Sequence, residues 1–281
     1  MNSELSVVVR DIKTVKIQGA KEIAVHALKF MKRFCRKNGF GLKFEVAAKI
    51  LEETRPTAVV LHNCLDIMKK EKKLATIDRL LKQLENVTKK IAKNGSRLMK
   101  KNYVIMTHCH SGEALAVIEQ AWKDGKKISV IATETDPLEQ GVKTVKELAR
   151  MRIPITLITD SAVGHFMKDV DCVLVGTDAM RALPPCGIIN KVGTLHLALA
   201  AKEFKKPFYV AGNTLKIDCR KKIYIEDRPT NEVYRELLRP GKLKGVKIRN
   251  PAFDLVDFKF VKAIITEKGV YAPTKIKRLL K

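Results

Sequence analysis

Apolar positions recur at three- and four-residue spacings through the first third of the chain and fall into short unbroken runs after it. Between Gly19 and Arg36 the residues Ile23, Ala27, Phe30, Met31 and Phe34 share one helical face. Between Ala75 and Ala92 the same holds for Ile77, Leu80, Leu81, Leu84, Val87 and Ile91. Asn38-Gly39-Phe40-Gly41 and Thr54-Arg55-Pro56-Thr57 interrupt the periodicity, and the second leads into a helix over 57–71. Residues 1–97 therefore predict an N-terminal helical bundle.

After Asn94-Gly95 the period changes. Runs at 103–107, 128–133, 155–158, 172–175, 207–211 and 261–265 predict strands, and 112–124, 139–151, 161–169 and 190–204 predict the helices between them. Runs that are apolar throughout suit strands buried on both faces. The alternation predicts an α/β domain over 98–281, built on a Rossmann-like, doubly wound, mostly parallel sheet. Pro229, Pro240, Gly241, Gly245 and Pro251 punctuate 212–259, which reads as irregular.

Polar residues gather just after the apolar runs, as Thr107-His-Cys-His110, Thr133-Glu-Thr-Asp136, Thr159-Asp-Ser161 and Gly176-Thr-Asp178. In an open parallel sheet such carboxyl-end loops share one crevice, so Cys109, Glu134, Asp160 and Asp178 are expected as neighbours. Cys109 lies between two histidines at a helix start, a setting expected to lower its pKa and suit it to proton transfer. Cys35, Cys64, Cys172 and Cys219 read instead as small structural thiols. His108 and His110 could instead be zinc ligands with Cys109, but three adjacent turn residues rarely converge on one tetrahedral centre and no complementary ligand pair stands out, so no metal is expected. Asp178 reads as a functional acid or as a turn cap. Asn190-Lys191 opens a helix, leaving Lys191 to bind an anion or face solvent. Arg55 at a helix N-terminus opposes the helix dipole, so it serves an anion or a surface ion pair.

Length and composition bound these readings. A chain of 281 residues with 46% hydrophobic content has room for two domains. It contains no apolar run of the ~18 residues a membrane span needs. Its N-terminus lacks the regions of a signal peptide, so a cytoplasmic protein without membrane association is expected. The six scattered cysteines contain no Cys-x-x-Cys pair and fit reduced thiols. A formal charge of +25 invites a nucleic-acid reading. The lysines are spread along the chain, however, as at Lys69-Lys70, Lys126-Lys127 and Lys221-Lys222, with no zinc finger or aromatic RNA-binding signature beside them. Nucleic acid is not an expected partner.

Several of these segments together resemble the successive signatures of one superfamily. They are Val104-Ile-Met-Thr-His-Cys-His-Ser111, Thr133-Glu-Thr135, Asp160-Ser-Ala162, Val175-Gly-Thr-Asp178 and Ile188-Ile-Asn-Lys-Val-Gly-Thr194. Arg55-Pro-Thr57, Lys216, Arg249-Asn-Pro-Ala-Phe-Asp254 and Ile264-Ile-Thr-Glu-Lys-Gly269 extend the resemblance over nearly the whole chain. The superfamily unites archaeal ribose 1,5-bisphosphate isomerases, methylthioribose 1-phosphate isomerases and the regulatory alpha, beta and delta subunits of translation initiation factor 2B. Length and the His-Cys-His-Ser wording are most similar to the first group.

The resemblance implies an aldose-ketose isomerase converting ribose 1,5-bisphosphate to ribulose 1,5-bisphosphate in nucleotide degradation. Asp178 would protonate the ring oxygen and Cys109 would move hydrogen from C2 to C1. It further implies a sugar phosphate held by Gln18, Gly19, Ala20, Arg55, His108, Ser111, Glu134, Asp160, Asn190, Lys191 and Lys216. No cofactor is implied; a nucleotide (AMP) activator and a homo-dimer or hexamer are. The alternative is a non-catalytic regulatory subunit that binds a sugar phosphate or nucleotide. Two departures stand out: Gln18 replaces an arginine before Gly19-Ala20, and Arg181 to Gly187 reads as an insertion in which Arg181 offers a replacement charge.

Overall fold

The computed structural model describes residues 3–14, 16–17, 19–233 and 245–280. Gln18 and the Pro240-Gly241 pair lie outside the described residues. The chain opens with α1 (Ser3–Lys13), α2 (Ala20–Asn38), α3 (Leu42–Thr54), α4 (Val59–Glu71) and α5 (Leu74–Ser96). The apolar faces of these helices meet in a core of Phe30, Met31, Phe44, Leu51, Leu61, Met68, Ile77 and Leu80.

Then come β1 (Val104–Thr107), α6 (Gly112–Lys123), β2 (Ser129–Thr133), α7 (Gln140–Arg150), β3 (Ile155–Ile158), α8 (Val163–Phe166) and β4 (Cys172–Val175). They are followed by β5 (Ala179–Arg181), β6 (Gly187–Lys191), α9 (Thr194–Glu203), β7 (Phe208–Ala211) and β8 (Ile217–Asp218). The chain closes with β9 (Phe253–Asp257), β10 (Ala263–Thr266) and β11 (Gly269–Tyr271).

The six predicted strands form one sheet in the order β10-β7-β4-β1-β2-β3, all parallel, with β11 added antiparallel beside β10. The chain winds outward from β1 to β3, returns to β4 and winds the other way, so β1 and β4 flank the topological switch point. Successive strand residues face opposite layers. Ile105, Val130 and Leu174 pack with α6 and the end of α5. Met106, Ile131 and Val173 pack toward α8 and α9. Helix α5 serves both halves: Ile77, Leu80 and Leu84 belong to the bundle core, and Val87 and Ile91 to the layer against the sheet.

A second sheet, in the order β8-β5-β6-β9, corrects two expectations. Residues 190–204 are not one helix. Asn190 and Lys191 end β6, whose Ile188 and Ile189 pair with Met180 and Ala179 on one side and Val256 and Leu255 on the other. Gly193, at φ +102°, turns the chain between strand and helix, and a Cβ there would also collide with the His108 ring. The Arg181–Gly187 stretch is the hairpin joining β5 to β6, and the span read as irregular contains β8 and β9. Residues 161–169 likewise break into short turns around the four-residue α8. Among the described residues no helix is long and apolar enough to cross a membrane.

Candidate active site

A cleft of about 540 Å³ opens where β1 and β4 end, between the two halves of the chain. Of the residues expected to bind or react, Gly19, Ala20, Arg55, Cys109, Ser111, Asp178, Asn190, Lys191 and Lys216 line it. Cys109 comes from the loop after β1 and Asp178 from the loop after β4, the two strands adjacent at the switch point.

Two helices begin at the cleft wall. Gly19 and Ala20 start α2, and Ser111 caps α6 by accepting the Ala114 N–H at 3.3 Å. Their free N–H groups and dipoles favour an anion. Arg55, Lys191 and Lys216 add cations. One nitrogen of Arg55, Nη1, is buried without a hydrogen-bond partner, while its Nη2 lies 3.7 Å from Glu226. Burial holds Lys191 below the usual lysine range. Burial also penalises the Lys216 ammonium, but Glu113 and Asp178 outweigh it and raise its pKa, with Lys216 Nζ donating to Glu113 at 2.5 Å. Glu113 in turn accepts from the Asn213 side chain at 2.6 Å.

Burial raises the Asp178 carboxyl above the ordinary aspartate range, against the opposing pull of Lys216 and Arg55. Such a carboxyl can arrive protonated and act as a general acid. Cys109 departs from expectation: burial pushes its thiol up to about 12. Neither imidazole was free to lower it. His108 is buried beneath Gly193, with Nε2 donating to the Val192 carbonyl at 2.8 Å and Nδ1 2.6 Å from the Thr133 hydroxyl. Burial keeps that ring neutral. The His110 ring turns to Thr144, at 3.1 Å, and Glu147, at 3.6 Å. The two rings point apart, so they do not frame a metal with Cys109.

His108, Glu134 and Asp160 do not line the cleft. Asp160 instead fixes the loop after β2, accepting the N–H groups of Thr135 at 2.9 Å and Asp136 at 2.8 Å. Glu134, Asp136 and Asp160 together form a carboxylate group that could accept a cation, and none of the three lines the cleft. Arg181 supplies no charge to the cleft. It is 0% exposed and bonds to the Arg220 carbonyl at 2.9 Å, with Asp218 at 3.6 Å.

Sequence reasoning missed Lys21, Glu113 and Arg228, which also line the cleft. Glu113 carried a signal, an acidic residue in the first turn of the helix after Cys109, but reads there as an ordinary complement to the dipole. Lys21 and Arg228 carried none, since tertiary folding alone brings the bundle and the late irregular segment to the sheet.

Residues 16–273 match the model of the initiation factor 2 subunit family. A ribose 1,5-bisphosphate isomerase of Archaeoglobus fulgidus is 40% identical, over 93% of this chain and 88% of that protein. A methylthioribose-1-phosphate isomerase of Acetivibrio thermocellus is 38% identical, over 84% of this chain and 77% of its own length. Among solved structures, a Pyrococcus horikoshii OT3 chain described as translation initiation factor eIF-2B superposes with a TM-score of 0.85 at 26% identity, covering 98% of this chain and 99% of that one.

Proposed function

The chain belongs to the initiation factor 2 subunit family, and on that premise we propose that it is an aldose-ketose isomerase of a phosphorylated ribose, converting ribose 1,5-bisphosphate to ribulose 1,5-bisphosphate. The observation that carries this reading is that Cys109 and Asp178 line one cleft, among Arg55, Lys191 and Lys216. The two phosphates bring about four negative charges, which match those cations and the starts of α2 and α6.

The chemistry follows from the two side chains. Asp178, whose acid form burial favours, gives its proton to the ring oxygen as the bond from C1 to that oxygen breaks. Cys109 serves the transfer of hydrogen from C2 to C1, and the C2 hydroxyl becomes the ketone. The proton released from that hydroxyl restores Asp178, so the step is redox-neutral overall and needs no co-substrate. Burial pushes the Cys109 thiol up to about 12, so its thiolate form needs support during the transfer.

The similarity to the eIF-2B chain favours a second reading, in which this protein is a regulatory subunit that binds a sugar phosphate or nucleotide without turnover. Such a subunit has no need of a thiol and a carboxyl in one cleft. AMP as activator is a finer part of the proposal. Purified protein incubated with ribose 1,5-bisphosphate, with and without AMP, tests both. Appearance of ribulose 1,5-bisphosphate supports the enzyme, and tight binding without turnover overturns it in favour of the regulator.

A further inference from the structure

Cys109 has φ +67° and Thr135 φ +64°, left-handed conformations that non-glycine residues keep only when their surroundings enforce them. Around Cys109 the enforcing contacts are two hydroxyls. Its N–H donates to Thr135 Oγ1 at 2.8 Å, and its carbonyl accepts from Thr144 Oγ1 at 2.8 Å. Both threonines are fully buried, which leaves water no place to substitute for them. Thr135 is itself held by Asp160 through its own N–H. Thr144 lies in the first half of α7, which packs closely on the end of β2 because Gly141 has no Cβ to collide with the Thr133 carbonyl.

The C=O and N–H of a trans peptide point to opposite sides. Anchoring the Cys109 carbonyl on Thr144 therefore fixes the peptide plane and with it the opposite direction of the His110 N–H, a group that favours the Cys109 thiolate. From this geometry we propose that Thr135 and Thr144 are positioning residues that clamp the Cys109 backbone so that the His110 N–H supports the thiolate during hydrogen transfer. The catalytic part of this proposal rests on the isomerase reading; the effect on the thiol does not.

The other charged groups that act on Cys109 are Asp178, Lys191 and Asp160, and none of their side chains bonds to the Thr135 or Thr144 hydroxyl that the variants remove. Thr135→Val and Thr144→Val keep the shape and remove the hydroxyl, whereas Thr135→Ser and Thr144→Ser keep the hydroxyl. Each variant of the full chain is alkylated with iodoacetamide over a range of pH. The Cys109 peptide is followed by mass spectrometry, apart from those of Cys186 and Cys219. The valine variants should alkylate Cys109 about ten-fold more slowly at a given pH, with the pH profile displaced upward. The serine variants should match the wild type. In the isomerase assay kcat should fall with the alkylation rate while KM holds.

Wild-type alkylation profiles in both valine variants overturn the proposal, and so does a loss that serine fails to restore, since shape would then be the cause. A wild type without isomerase activity sinks the catalytic reading alone, and the alkylation profiles still decide whether the clamp tunes the thiol.

Discussion

Asn63 holds the backbone on both sides of Lys216, its side-chain amide donating to the Leu215 carbonyl at 2.7 Å and the Ile217 carbonyl at 2.8 Å. Asn63 lies on α4, so the helical half fixes a cation in the cleft of the α/β half. Asn63→Ala leaves two carbonyls without this donor, a cost of about 1–3 kcal/mol, and frees the segment carrying Lys216. A several-fold rise in KM with kcat nearly kept is expected from steady-state kinetics. Unaltered KM means that Glu113 alone keeps Lys216 in place.

Cys109→Ser preserves volume but raises the side-chain pKa far above that of a thiol, and Asp178→Asn removes the acid with little change of shape. Each should cut kcat by ~10²-fold or more, the usual contribution of a general acid or base, with little change in ligand Kd. Substrate turnover and calorimetric binding on the same preparations check this. Retained activity in both variants refutes the assigned pair.

Two arginines should behave in opposite ways. Arg55→Ala removes a cleft donor and should raise KM by about ten-fold or more, since a bond to a charged group contributes ~1.5–3 kcal/mol, while leaving the fold stable. Arg181→Ala breaks a fully buried ion pair and should cost about 3 kcal/mol of stability without touching KM. Denaturant midpoints and Michaelis constants for the pair separate these roles.

Burial raises the pKa of Asp178 in the folded state. Its contribution to stability is therefore full below the unfolded aspartate pKa of about 3.9 and is lost as pH rises through the higher folded value. Asp178→Asn should accordingly melt at a higher temperature than the wild type at neutral pH, and the difference should vanish on acidification. A gain in Tm that does not depend on pH would trace to packing instead.

Two-fold association is expected, as a dimer or a hexamer built from dimers. Leu199 and neighbouring Phe204 are outward apolar side chains suited to such a contact, at 50% and 41% exposure, whereas Ile188 is buried within the second sheet. Light scattering at micromolar concentration should report a multiple of 31.6 kDa; a monomer rules the assembly out.

The legible parts of this chain were those where one local pattern decides. Val104 to Met106 and Cys172 to Val175 are apolar because neighbours cover both faces, and such runs read as central strands. The meeting of Cys109 and Asp178 followed from strand order alone. Asn190 and Lys191 misled because the helix signal of Thr194 onward runs back into Ile188-Ile189, and a strand buried along its whole length shows no alternation to oppose it. Glu134 and Asp160 sit on the expected loops, yet their orientation depends on which backbone N–H groups they satisfy, and periodicity carries no trace of that. The acidity of Cys109 was misjudged for a similar cause: adjacency in the chain placed two imidazoles beside the thiol, whereas the turn sends both rings elsewhere.

Helix α5 buries one end in the bundle and the other against the sheet. Its twenty-three residues make the two halves share a single thermodynamic fate, because neither core can melt without stripping apolar surface from the helix that completes the other. Calorimetry should then record one endotherm with matching calorimetric and van't Hoff enthalpies. A fragment cut after Arg97 would expose the Val117 and Ile118 side of the sheet layer, and should be recovered as an aggregate.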